Sequence, residues 1–253
     1  MKRIVLLALL LAADVHAAVE DDLYKQAVQI LGGNESVVSK WHEDIRFVVI
    51  GGGDTAGVVA RSVIEEAASI AELAVAFPAH TLDSGRDYLA FVRESPPRWL
   101  SPSCSGDASK PCFNFAVVFS DYRTMRELAQ AIPIHPHVYR FMESHPQMPC
   151  LYAPFHSGRQ MIWQALVLIR NDLDAAMQQT CLQEEIYQSL GLFNDYSGST
   201  LFSFNNIVAP KSITAYDKAL LAALYDPRVK SGYPVNFVMQ IFMEHVKRML
   251  DGR

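Results

Sequence analysis

The chain has 253 residues, half of them hydrophobic, and a formal net charge of -5. This length and composition are typical of a globular protein with one domain, or one domain and a small extension, and exclude a disordered chain. Because the sequence is acidic overall and contains no basic stripe, nucleic acid is excluded as an expected partner.

The first residues have the pattern of a secretory signal peptide. Lys2 and Arg3 form a charged start, residues 4–13 are a short apolar run, and Val15 and Ala17 are small residues before a cleavage point. We therefore predict that residues 1–17 are removed and that the mature protein is periplasmic or secreted. No later stretch reaches the roughly 18 apolar residues of a membrane helix, so no membrane span is expected after cleavage.

After this segment, strands and helices alternate, and helices follow. We predict an N-terminal helical segment over residues 18–40 and a domain over residues 41–253, divided into an upper part, 41–195, and a lower part, 196–253. Residues 135–155 contain four prolines and are predicted to be irregular. The order predicts an α+β fold, a twisted mixed sheet with a helical C-terminal subdomain. The predicted strands are residues 41–50, 88–92, 113–119 and 160–169, and the predicted helices are residues 18–38, 56–77, 122–131, 172–190, 214–225 and 236–250.

The chain has four cysteines, which in an oxidising compartment suggest two disulfides. Four cysteines allow three pairings. Cys104 and Cys112 lie close together in a loop rich in proline, serine and glycine, which favours a local bridge and leaves Cys150 to pair with Cys181. The alternative is four free or buried thiols.

The most informative run of the sequence is CLQEEIYQSLGLFND. Within it, Glu184 and Gln188 are one helical turn apart and project from the same face. Gly191 lets the chain leave the helix sharply, so that Asn194 is expected to fold back toward that face. Glu185 follows Glu184 directly, and a raised pKa would let one of the two act as an acid. Neighbouring helix positions diverge by about 100°, which argues against such a pair.

This spacing resembles the metzincin signature, H-E-x-x-H-x-x-G-x-x-H, of a large family of zinc endopeptidases. The resemblance places Glu184 and Gln188 at the first two zinc-binding histidines and Asn194 at the third ligand. It places Glu185 at the catalytic glutamate, and Gly191 matches the glycine of the turn. The resemblance therefore implies a zincin-like fold in which this helix carries the site.

Later residues continue the resemblance. Asp195 matches an acidic residue that often follows the signature, and the run TLFSF resembles the methionine turn of metzincins, with Phe202 in place of the methionine. Tyr216 and Asp217 are similar to a Tyr-Asp pair further along that family, where they imply a structural role. The pattern E-E-x-x-Q-x-x-G-L-x-N-D also resembles a domain of unknown function found in secreted bacterial proteins.

The replaced histidines change the chemistry that the resemblance implies. Catalytic zinc prefers three ligands, usually imidazole nitrogens, whereas one carboxylate and two amide oxygens are a weak set that suits calcium or magnesium better. We therefore expect no metal and no other cofactor, and no peptide hydrolysis by the zinc mechanism. If the protein has any activity, Glu185 is the expected catalytic residue.

Three hypotheses for function remain. The first is a non-catalytic exported protein that binds a peptide, protein or glycan of the cell envelope in a metzincin-like cleft. The resemblance places the edge strand of that cleft between Cys150 and Gln160. The second is a hydrolase with altered metal or metal-free chemistry, and the third is a structural protein of the envelope. The expected binding residues are Glu184, Gln188, Asn194, Asp195 and Phe202, and the hydrolase would use Glu184, Glu185, Gln188 and Asn194.

Overall fold

A computed structural model describes residues 21–32, 36–79, 82–94, 112–132, 136–156, 158–196, 202 and 212–250. The predicted signal peptide and Cys104 lie outside these residues. The described strands are β1 (Lys40–Trp41), β2 (Ile45–Ile50), β3 (Val75–Ala76), β4 (Phe115–Ser120), β5 (Cys150–His156) and β6 (Met161–Arg170). The described helices are α1 (residues 21–30), α2 (Gly53–Ala71), α3 (Gly85–Glu94), α4 (Tyr122–Ala131), α5 (Pro136–Ser144), α6 (Ala175–Ser189), α7 (Ala215–Tyr225) and α8 (Val235–Leu250).

The strands form one mixed sheet. Strands β3, β2, β4 and β6 are parallel neighbours in that order, and β1 pairs in parallel with the first two residues of β6. Strand β5 pairs antiparallel with β6 and lies at an edge of the sheet. All six residues of β4 are buried, as is typical of a parallel strand that is covered on both faces.

Helices cover both faces of the sheet. One hydrophobic core joins the sheet to α1, α2, α6, α7 and α8, and a second core joins the opposite face to α3, α4 and α5. This layered arrangement agrees with the predicted α+β class. None of the helices in the described part of the chain is long and apolar enough to cross a membrane.

One predicted element is wrong in type, and another is wrong in where it ends. Residues 88–92, predicted as a strand, belong to α3, because Tyr88, Leu89 and Val92 recur at helical spacing and bury one face. The predicted helix over residues 56–77 ends at Ala71, where Glu72 takes a left-handed conformation with φ 54°. The chain then forms the short strand β3.

Residues 135–155, predicted to be irregular, contain α5 and β5. The prolines that suggested irregular structure occupy positions that tolerate them. Pro136 is the first residue of α5, where no helical partner for its nitrogen is needed. Pro154 lies in the edge strand β5, where the missing N–H can face outward.

Candidate functional site

Helix α6 carries the residues of the predicted site. Its first turn is capped by Asp174, whose carboxylate accepts a hydrogen bond of 2.8 Å from the N–H of Met177. The helix is followed by Gly191, which has φ +114°. A Cβ atom there would lie 2.4 Å from the carbonyl oxygen of Ser39, so only glycine fits this turn. The sharp turn directs residues 192–195 back along the helix.

A disulfide ties the edge strand to this helix. Cys150, the first residue of β5, is bonded to Cys181 in α6, and their Cα atoms are 5.9 Å apart. This pairing confirms the prediction for these two cysteines. Cys112 is also disulfide-bonded, and Cys104, its expected partner, lies outside the described residues.

The outer edge of β5 carries unused backbone groups. Hydrogen-bonded and non-bonded residue pairs alternate along an antiparallel ladder. The N–H of Arg170 donates to the carbonyl of Pro149 at 3.0 Å, so Pro149, Leu151 and Ala153 direct their backbone groups toward β6. The N–H and C=O of Tyr152, which lies between two of these residues, therefore point away from β6. The N–H and C=O of Cys150 and the C=O of Pro154 point the same way. Within the described residues, no strand pairs with this edge.

A groove with a volume of about 340 Å³ lies over this edge and reaches α6. Its apolar part comes from α5, β5 and the turn after α6, and its polar part comes mostly from α6. The lining residues are Phe141, Met148, Cys150, Leu151, Tyr152, Glu184, Glu185, Gln188, Phe193 and Asp195.

The predicted convergence on α6 is only partly seen. Glu184 and Gln188 both line the groove, but Asn194 does not. The side-chain amide of Asn194 instead donates to the carbonyl of Gln29 in α1, at 3.2 Å. Asp195 takes the expected place, because its carboxylate accepts a hydrogen bond of 2.7 Å from Nε2 of Gln188. The expectation that Asn194 would meet the Glu184 and Gln188 face is therefore wrong.

The two adjacent glutamates share the groove, contrary to the argument from their helical divergence. Both Glu184 and Glu185 line it, and Glu184 is partly buried whereas Glu185 is buried. One oxygen of Glu185, Oε2, has no hydrogen-bond partner among the described residues. The sequence-based objection fails because a groove can receive side chains from two adjoining sectors of a helix.

Burial raises the pKa values of all three carboxyl groups. For Glu184 the pKa rises to about 8, first through loss of solvent and then through the negative charge of Asp195. For Glu185 the pKa lies well above its ordinary value, because of burial and then because of the charges of Glu184 and Asp195. Burial also raises the pKa of Asp195, and the hydrogen bond from Gln188 opposes this effect. With a pKa of about 8, Glu184 is therefore mostly protonated at neutral pH, and burial favours the neutral form of the other two carboxyl groups.

Tyr152 completes the polar part of the groove. Its hydroxyl donates to the carbonyl oxygen of Phe193, which fixes the ring over the turn after α6. Burial raises the pKa of Tyr152, and the nearby carboxylates add to that rise.

The other predicted residues are structural. Phe202 has no exposed surface and belongs to the hydrophobic core, so it does not line the groove. Asp217 is buried at the start of α7, where it exchanges hydrogen bonds with Thr214 in a capping box. Tyr216 packs beside the same core.

Several groove residues had only weak signals in the sequence. Tyr152 and Leu151 belong to an alternating strand pattern in CLYAPFH that Pro154 hides. Phe141 is exposed on α5, which the prolines also obscured.

Within the part of the chain that the structure describes, no group of three or more His, Cys, Asp or Glu side chains has the geometry of a metal site. The carboxyl groups of Glu184, Glu185 and Asp195 line one groove but do not surround a position for a metal ion.

The comparison with known families identifies the chain. A family described as a protein of unknown function, DUF2927, matches residues 15–244. The chain belongs to the DUF2927 family. No curated protein and no solved structure matches it. This membership agrees with the predicted domain of unknown function.

Proposed function

We propose that this DUF2927 protein is an exported, non-catalytic protein that binds an extended peptide segment along the outer edge of β5. The observation that carries the proposal is the free edge itself. The backbone groups of Cys150 and Tyr152 point away from β6 and border a groove. Adding a strand to a free sheet edge is a common way to bind a peptide.

The resemblance to metzincins supports the same location. It places a substrate-binding edge strand between Cys150 and Gln160, and β5 runs from Cys150 to His156. It places the site-bearing helix after the next strand, and α6 follows β6. The disulfide between Cys150 and Cys181 holds strand and helix together, so the edge is fixed before a peptide arrives.

The donor set argues against zinc hydrolysis. The positions that resemble the zinc ligands hold Glu184, Gln188 and Asn194, and the last of these donates its amide to Gln29. One protonated carboxyl and one amide cannot replace three imidazoles. We therefore expect the purified mature protein to carry substoichiometric zinc and to leave a peptide library uncut. Stoichiometric zinc together with peptidase activity that a chelator removes would refute this part of the proposal.

The test of the binding proposal uses peptides selected from a random library displayed on phage. A selected peptide should slow hydrogen exchange at the outward N–H of Tyr152, measured by NMR, and leave Ala153 unchanged because its N–H already bonds to β6. Phe141→Asp, at an exposed residue of the groove, should weaken binding, whereas Val58→Asp, at an exposed residue of α2, should not. Equal effects of the two variants, with no change at Tyr152, would overturn the proposal.

A hydrolase with altered chemistry is the second candidate. The observation that favours it is the pair of carboxyl groups, Glu184 and Glu185, whose raised pKa values place a proton donor in the groove. If this function were correct, peptides or glycans incubated with the protein would be cleaved without added metal. Cleavage would then be lost in Glu185→Gln.

A further inference from the structure

Among the described residues, no cationic side chain acts on the buried carboxyl groups of the groove. Glu185 is only 6% exposed, and its Oε2 has no hydrogen-bond partner among the described residues. Leaving a buried carboxyl oxygen without a partner costs free energy that a bound group can recover. The side chain of Glu185 lines the groove, and although Oε2 is itself covered, a rotation of the carboxyl group would turn this oxygen toward an occupant.

The charges that act on this part of the groove are all negative. Within the described residues, the charge of Asp195 raises the pKa of Glu184, and the charges of Glu184 and Asp195 raise the pKa of Glu185, with no lysine or arginine among the causes. Of the other titratable groups, Tyr152 on β5 lines the groove, while His156 and His145 contact its lining residues Phe193 and Phe141.

The walls of the groove suit a long side chain with a charged end. Phe141, Met148, Leu151 and Phe193 supply apolar surface on the way to the carboxyl groups. Methylene groups pack against such surface while a terminal charge reaches a polar group. An aromatic ring at the entrance, such as the 52% exposed Phe141, also attracts a cation.

We propose that the groove receives a lysine or arginine side chain of the peptide bound at β5, with the cationic end seated on Glu184, Glu185 and Asp195. This inference rests on the proposed peptide binding and names the residue type that the site selects. A lysine or arginine donates to several oxygens at once, which provides Oε2 of Glu185 with its missing partner.

The proposal implies that binding is linked to protons. A carboxyl that is protonated in the free protein loses its proton when a cation binds next to it. If one proton is released, affinity rises by up to about tenfold per pH unit between about pH 6 and about pH 8, and levels off above that. A neutral side chain produces no such slope.

The main experiment compares a selected arginine peptide with the same peptide in which citrulline replaces arginine. Citrulline keeps the shape and removes the charge. We expect the arginine peptide to bind at least about tenfold more tightly at about pH 8, with a much smaller difference at about pH 6. Titration calorimetry in two buffers of different ionisation enthalpy should show proton release with arginine only.

The outcomes separate the two proposals. If both peptides bind equally at every pH, and Tyr152 is still protected from exchange, the cation site is wrong and the peptide edge stands. If neither peptide binds nor protects Tyr152, the proposed function itself is wrong. Selected peptides that favour Asp or Glu would also overturn the cation site.

Variants of the carboxyl groups provide an independent check. Glu185→Gln and Glu184→Gln should each reduce the preference for arginine over citrulline and flatten the dependence of affinity on pH, while binding of the citrulline peptide is retained. Glu65→Gln, at an exposed residue of α2, is the matched control and should change neither quantity. N-acetylarginine amide, a single cation without a peptide chain, should shift the NMR signals of Glu185 but not those of Glu65. A preference for arginine that survives both groove variants would overturn the proposal.

Discussion

Two buried carboxyl groups of this protein have different surroundings. Asp217 at the start of α7 is 1% exposed, and its Oδ2 accepts hydrogen bonds from the N–H of Thr214 at 2.9 Å and from its hydroxyl at 2.7 Å. Glu185 in α6 is 6% exposed, but its Oε2 has no partner in the described residues. A buried acid that accepts hydrogen bonds from the protein supports the fold, whereas a buried acid with an oxygen that lacks a hydrogen-bond donor is a candidate for ligand binding.

The largest expected effect concerns the turn that brings Asp195 to the groove. Gly191→Ala should lower the free energy of unfolding by about 3 kcal/mol or more, because the new Cβ meets the Ser39 carbonyl and the left-handed backbone disfavours alanine. Gly232→Ala is the control. Gly232 also has a positive φ, of +84°, but a Cβ there meets nothing within 4 Å, so only about 1 kcal/mol should be lost. Urea unfolding measures both, and equal losses would show that the close approach to Ser39 is unimportant.

The same chemical change at the two buried acids should have different results. Asp217→Asn should lower the free energy of unfolding by about 1 to 2 kcal/mol, because an amide oxygen accepts the two hydrogen bonds from Thr214 more weakly than a carboxylate oxygen does. Glu185→Gln should change it by less than about 0.5 kcal/mol near pH 7, because a protonated carboxyl and an amide are both neutral. Urea unfolding of the two variants decides the point. A larger loss at Glu185 would mean that its carboxyl is a structural group like that of Asp217.

The last expected effect is a dependence of stability on pH. Because the pKa of Glu184 is about 8 in the folded protein and 4.5 ordinarily, the folded state holds a proton that the unfolded state loses between these values. The free energy of unfolding should therefore fall as the pH rises from about 5 to about 8, by an amount on the order of 2 kcal/mol. Glu184→Gln should reduce this slope, and Glu65→Gln should leave it unchanged. A slope that persists in Glu184→Gln would remove Glu184 as its source.

Some of the site could be predicted from local sequence. The spacing of Glu184 and Gln188 and the glycine at 191 fixed the helix and the turn that follows it, because both depend on neighbouring residues. Asp195 was also expected. The partner of Asn194 could not be predicted, because the amide bonds to Gln29, which is far away in the chain.

The sequence also missed the groove wall formed by Tyr152 and Phe141. The prolines in residues 135–155 led to a prediction of irregular structure where α5 and β5 lie. A proline disrupts a helix or strand only where a neighbouring carbonyl would have accepted a hydrogen bond from the N–H that proline lacks. Only the sheet decides that Pro154 lies at an edge.

The sequence by itself determined the family, the α+β class, the central strands and the bond between Cys150 and Cys181, because hydrophobic period, turn residues and cysteine spacing act locally. Only the tertiary structure decided that Glu184 and Glu185 share one groove and that Oε2 of Glu185 has no hydrogen-bond partner among the residues described. Whether a residue is buried, and whether a hydrogen-bond donor lies beside it, depends on the residues that pack around it. Those residues are often distant in the chain.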